Sequence, residues 1–116
     1  MTARVWDRLP PWVAVAGVAA AIALATATAH GQDESASVGQ GRRMFTEQGC
    51  HGCHTIGKMG TPIATDLSHV GTKYSERYLR AWLREPKQQK PAAHMPKIEM
   101  SDTEARSLAA YLASLK

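Results

Sequence analysis

Cys50-His51-Gly52-Cys53-His54 constrains this chain more than any other stretch. Two thiols three residues apart, with a histidine directly after the second, form the pattern of covalent c-type haem attachment. Each thiol can add to one vinyl group of the porphyrin, and the spacing sets both sulfurs along one edge of the ring. His54 then falls beneath the iron as the proximal axial ligand. The chain has two cysteines in all, so the motif uses the whole supply. A redox disulfide would expect a βαβ setting of β-branched strands, which the sequence lacks. A structural zinc site would need a second ligand pair at similar spacing, and His69 and His94 stand alone. One covalent haem c is the expected cofactor.

The chain is 116 residues long, enough for one domain. Residues 12–29 carry no charge and follow Arg4 and Arg8, with small residues at Ala25-Thr26-Ala27 and Ala27-Thr28-Ala29. This is the layout of a secretory signal. The rival is an uncleaved anchor, but as a helix the run would reach only about 27 Å against a hydrocarbon core of roughly 30 Å. Half of it is alanine, so its drive to stay in lipid is modest. Residues 1–29 are therefore read as a signal peptide or membrane anchor, with cleavage favoured. Both readings export everything after residue 30 and place the domain in the periplasm or on the outer face of the cytoplasmic membrane. The exported part has 12 Lys and Arg against nine Asp and Glu, and the whole protein has one phenylalanine. So short and apolar-poor a piece has a marginal core. A buried porphyrin would supply the missing apolar surface.

Residues 30–36 read as a polar linker. Ser37 is a candidate cap for a helix over about 38–48, which Gly49 ends. Residues 55–74 lack helical periodicity and read as a long loop wrapped round the haem edge. Ser75 can cap a second helix to about Arg84, with Tyr78, Leu79, Trp82 and Leu83 in one stripe and Pro86 as its stop. Residues 86–100 hold three prolines and read as irregular. Ser101-Asp102-Thr103-Glu104 is a capping box opening a last helix to about 115, with Ala105, Leu108, Ala109, Leu112 and Leu115 on one face. No alternating run argues for a sheet, so the expected architecture is all-α with loops around a cofactor.

The second axial position decides between ligand chemistry and electron transfer. Met95, in His94-Met95-Pro96, offers a thioether from a loop that Pro96 stiffens. His94 and His69 are the alternatives. Met44 lies on the packing side of the first helix, Met59 follows closely on the haem motif, and Met100 precedes the last cap.

Over nearly all of residues 37–116 the chain resembles a class I cytochrome c. The matching stretches are Gly41-x-x-x-Phe45, the haem motif, Asp66-Leu67-Ser68-His69-Val70-Gly71, Trp82-Leu83-Arg84-Glu85-Pro86, Met95-Pro96 and Leu108-Ala109-Ala110-Tyr111-Leu112. The resemblance implies a helical domain, 37–116, wrapped around one haem. It implies that the first and last helices cross closely at Gly41, with Phe45 near Leu108 and Tyr111. It also implies a backbone carbonyl orienting the proximal histidine, with Pro62 the best-placed owner. The spacing from Pro62 to Asp66 is longer than in the commonest Gly-Pro-x-Leu pattern. The stretch Asp66–Pro86 is similar to cytochrome c domains attached to respiratory oxidases and reductases.

The residues expected to bind the haem are thus Cys50, Cys53, His54 and Met95, with His54 and Met95 on the iron. Trp82 and Tyr78 are expected to pack or to flank the haem, and His51 to face solvent. Lys58, Lys73, Lys87, Lys90 and Lys97 all fall in the two loop regions and form a candidate basic rim for a redox partner with an acidic docking surface. No basic helix with interleaved aromatics appears, so nucleic acid is not an expected partner, and a membrane is one only if the N-terminal segment is retained. The expected function is one-electron transfer between respiratory or periplasmic partners. The alternatives are a dedicated haem subunit of a terminal oxidase or dehydrogenase and, should Met95 not bind iron, a gas-binding or peroxidatic haem.

Overall fold

The computed structural model describes residues 33–116. The signal-or-anchor segment 1–29 lies outside the described residues. Within the described residues helix α1 runs over 33–47, so residues 33–36 of the expected linker are helical and Ser37 lies inside the helix rather than capping it. Asp33-Glu34-Ser35-Ala36 contains neither glycine nor proline, and nothing in it stops a helix. The end of α1 falls where expected: Gly49 takes a left-handed conformation, φ 70°, and turns the chain into the haem motif.

Three short elements occupy the first expected loop. Strands β1 (Thr55–Ile56) and β2 (Met59–Gly60) pair antiparallel, with Thr55 opposite Gly60 and Ile56 opposite Met59. Helix α2 (Val70–Lys73) follows. The domain is mostly helical, as expected, with one ribbon of two-residue strands added to it. Strands this short carry no readable alternation, so periodicity could not announce them. Helix α3 (Glu76–Arg84) starts as expected, with the Ser75 hydroxyl accepting from Tyr78 N–H at 3.3 Å. Pro86 does end α3, but it also opens a single helical turn, α4 (Pro86–Gln89), because its locked φ suits a first helical position. Helix α5 (Asp102–Ser114) begins with the full capping box: Glu104 N–H donates to Ser101 Oγ, and Ser101 N–H donates to the Glu104 carboxylate.

The core is where α1 and α3 meet α5. Phe45, Leu79, Leu83, Leu108, Ala109 and Leu112 are all buried there. Each buried leucine removes apolar surface worth roughly 1.5–3 kcal/mol from water. Gly41 makes the α1–α5 approach possible, since a Cβ there would lie 2.0 Å from the Ser107 carbonyl oxygen and 2.7 Å from Tyr111 Cβ. Phe45 meets Tyr111 edge-on at 5.9 Å. Helix α2 is pinned to the end of α5: Gly71 N–H donates to Leu115 O at 2.9 Å, and Lys116 Nζ donates to Gly71 O at 2.6 Å.

A polar clasp joins α3 to the start of α5. Arg80 donates to both Asp102 carboxylate oxygens at 2.5 Å, and Arg84 and Arg106 (3.1 Å) pair with the same carboxylate. The hydrogen bond from Arg80, with the three positive charges, holds the Asp102 carboxyl below its ordinary value. A carboxyl so lowered contributes stability that is complete above its unfolded value, near 3.9, and is lost as pH falls through the folded value. Acidification should therefore loosen the α3–α5 junction. Asp102→Asn should flatten the acid limb of a stability–pH profile followed by thermal melting. An unchanged limb would mean that the clasp contributes nothing.

Candidate functional site

Residues Cys50–Gly52 form one 3-10 turn directly after Gly49. The Cys50 carbonyl accepts from both Cys53 N–H (3.2 Å) and His54 N–H (3.0 Å), which folds the five-residue motif on itself. Cys50 is half-buried against the core and Cys53 is exposed. Burial pushes the Cys50 thiol above its ordinary value. A dithiol oxidoreductase needs the opposite, a leading cysteine with a lowered pKa.

The loop after the motif is stitched back onto it. Thr61 N–H donates to His51 O at 3.0 Å, Ile63 and Ala64 N–H to Cys53 O at 3.2 and 2.7 Å, and Leu67 N–H to Thr55 O at 2.9 Å. His54 Nδ1 lies 2.6 Å from the carbonyl oxygen of Thr65. A carbonyl only accepts, so Nδ1 carries the proton and the lone pair sits on Nε2, the nitrogen left for a metal. The orienting carbonyl thus belongs to Thr65 and not to Pro62. Counted back from Leu67, Thr65 holds the proline's place in the Gly-Pro-x-Leu pattern, so the signal was present in the sequence. Counting from the proline itself missed it.

Met95 is half-buried against the core, and the Trp82 indole N–H donates to its sulfur at 3.2 Å. Trp82 therefore does more than pack, since it fixes where the thioether points. An indole N–H that is partly buried requires an acceptor, and Met95 supplies it across 13 residues of sequence. Tyr78 stacks on Tyr74 at 4.8 Å and leans on Trp82 at 6.3 Å, so the three rings form a row that ends at Met95. Of the alternatives, His94 is exposed, and His69 Nδ1 is engaged at 2.8 Å with Lys116 O. Met59 is 62% exposed on β2, Met44 is core, and Met100 packs against the core.

His51 does not face solvent as expected. Its ring meets Phe45 edge-on at 4.7 Å, and its Nδ1 is buried with no partner among the described residues. The motif's tight turn and Thr61 fold it inward. The lysine rim also needs revision. Lys73 ends α2, Lys87 lies in α4, and Lys97 is tied to Glu85 at 2.7 Å.

These donors fit a c-type haem: two thiols on one turn, an imidazole with Nε2 free, and a thioether held by an indole. Bound there, the haem supplies one-electron chemistry at iron. The protein's own share is to hold the imidazole tautomer through Thr65 and the sulfur through Trp82. Residues 38–116 match the family model described as cytochrome c. The chain belongs to the cytochrome c family. The family implies covalently bound haem c and a role in electron transfer. This cytochrome is also similar to "Cytochrome c oxidase subunit 2" of Alkalihalophilus pseudofirmus, with 35% identity over 86 residues, 66% of this chain. It spans 25% of that relative's length.

Proposed function

We propose that this cytochrome carries one haem, attached through Cys50 and Cys53, with His54 and Met95 as the axial ligands. It passes one electron at a time between redox proteins of a respiratory chain, in the periplasm or on the outer face of the cytoplasmic membrane. The observation that carries this reading is the pair of preset ligands. His54 is locked with Nε2 free, and Met95 is aimed by Trp82. With both axial positions taken by the protein, the iron exchanges electrons and does not bind small molecules. Methionine opposite histidine raises the potential, which suits the oxidising end of such a chain. The unpaired members of the lysine set, with exposed Ile63 beside Cys53, favour a partner whose docking surface is acidic around an apolar centre.

Denaturation in acid and organic solvent should leave the haem on the polypeptide. Thioether bonds survive conditions that strip axial ligands. Cys50→Ala and Cys53→Ala should each keep one link, seen by mass as one haem per chain with one thiol fewer used. Haem that extracts freely from the wild type would overturn the assignment.

The similarity to an oxidase subunit favours a second reading, a haem subunit assembled permanently into an oxidase complex. Fractionation separates the two. A carrier is released into the soluble fraction or by a salt wash, whereas a dedicated subunit copurifies with oxidase activity through detergent extraction.

A further inference from the structure

Helix α3 has two chemically opposite sides. At about 100° per residue, Tyr78 and Trp82 lie within roughly 40° of each other, on the side that meets Met95. Arg77, Arg80 and Arg84 lie within about 60° of one another, and Arg84 is about 160° round the helix from Trp82. Arg106 of α5 joins this second side through Asp102. Three guanidinium groups thus lie on the side of α3 turned from Trp82, and Arg106 meets two of them at Asp102.

Few carboxylates answer them. Asp102 is shared by Arg80, Arg84 and Arg106, and Glu76 reaches Arg80 only through space. Of the other nearby acids, Glu104 closes the capping box, Glu85 pairs with Lys97, and Glu99 shares a shallow depression with Arg84 and Lys97. Arg77 makes no ion pair among the described residues and is exposed. Each guanidinium has five donors in a planar fork, and one carboxylate takes up only a few of them. The side chains of Arg84 and Arg106 remain 51% and 58% exposed while their heads are held by Asp102. Forks held in this way lose little freedom on meeting a second carboxylate.

We propose that Arg77, Arg80, Arg84 and Arg106 form a docking surface for an acidic segment of a partner protein, separate from the face at which the haem exchanges electrons. A bilayer fits less well, because surface binding needs apolar side chains beside the cations. Among the described residues the large exposed apolar ones are Met59, Ile63, Tyr74 and Tyr78, none of which lies in the arginine stripe. Nucleic acid fits less well because the stripe has no interleaved aromatic ring. The surface would let the cytochrome be held on one side while its haem face stays free. That use rests on the electron-carrier reading, but the binding itself does not.

The test is fluorescence anisotropy of a labelled hexaglutamate peptide against the haem-loaded protein at low salt. Arg77→Gln with Arg106→Gln should weaken binding about five-fold or more, while Lys58→Gln with Lys87→Gln should change it less than about two-fold. The visible spectrum of each double variant confirms that the haem pocket is intact. Arg77→Gln alone, which breaks no ion pair, should lose part of the affinity in the same direction. Equal affinity in the arginine variants, or loss confined to the lysine variant, would overturn the proposal. Vesicles of phosphatidylglycerol that bind by the same arginines while the peptide does not would also overturn it, in favour of a membrane. Reduction by ascorbate followed in the same samples reads the carrier role independently, so either reading can fail alone.

Discussion

Met95→Ala is expected to remove the weak sulfur-to-iron absorption band at the red edge of the oxidised spectrum and to open the iron to carbon monoxide and cyanide. The reason is local. Met95 is the half-buried thioether that Trp82 holds in position, and alanine offers no donor in its place. The potential should fall, because a thioether favours ferrous iron more than the water or hydroxide that would replace it. A drop on the order of a tenth of a volt is modest within the roughly 0.8 V that axial ligands command. Trp82→Phe separates the ligand from its support. It keeps an aromatic ring but removes the indole N–H with the pyrrole half that carries it, so the band should survive. That N–H draws electron density from the sulfur and makes it a poorer partner for ferric iron. Its loss should therefore lower the potential too, by much less than loss of the sulfur. Should the band persist in Met95→Ala and vanish in Met59→Leu or Met100→Leu, the ligand is one of those methionines.

Gly41→Val should cost about 3 kcal/mol or more, at or beyond the upper end of the usual range for overpacking. The neighbour that a side chain would strike is the Ser107 carbonyl, 2.0 Å from the Cβ position, and backbone in the middle of α5 cannot swing aside. The two helices would have to part, and Phe45 and Leu108 lie in that contact. For a small domain with total stability near 5 kcal/mol, such a loss leaves much of the protein unfolded. Gly39→Ala is the paired control on the same helix. Nothing lies within 4 Å of its Cβ position, so alanine should stabilise by roughly 0.5–1 kcal/mol through helix propensity. Chemical denaturation of the haem-loaded proteins measures both. Equal midpoints for Gly41→Val and the wild type would mean that the helices do not meet at this close crossing.

What could be read along the chain is what neighbouring residues decide among themselves. The thiols and imidazole of Cys50–His54 need only their own spacing to declare a haem. Ser101 and Glu104 complete their capping box within one turn, Ser75 caps α3 three residues away, and Gly49 stops α1 by its own freedom. The apolar face of α5 was equally plain, because burial repeats with the helical period. What required the tertiary structure is what distant segments decide together. The Thr65 carbonyl meets His54 across 11 residues and Trp82 meets Met95 across 13. Asp102 gathers arginines from 22 residues before it to four after. His51 turned inward for the same reason, since Phe45 and the Thr61 main chain close over the motif from both sides. A hydrogen bond between loops depends on where the chain returns, and periodicity carries no information about that return. The proposed ligands were therefore legible as residue types, while the groups that orient them became visible only once α3, α5 and the loop after the motif were packed together.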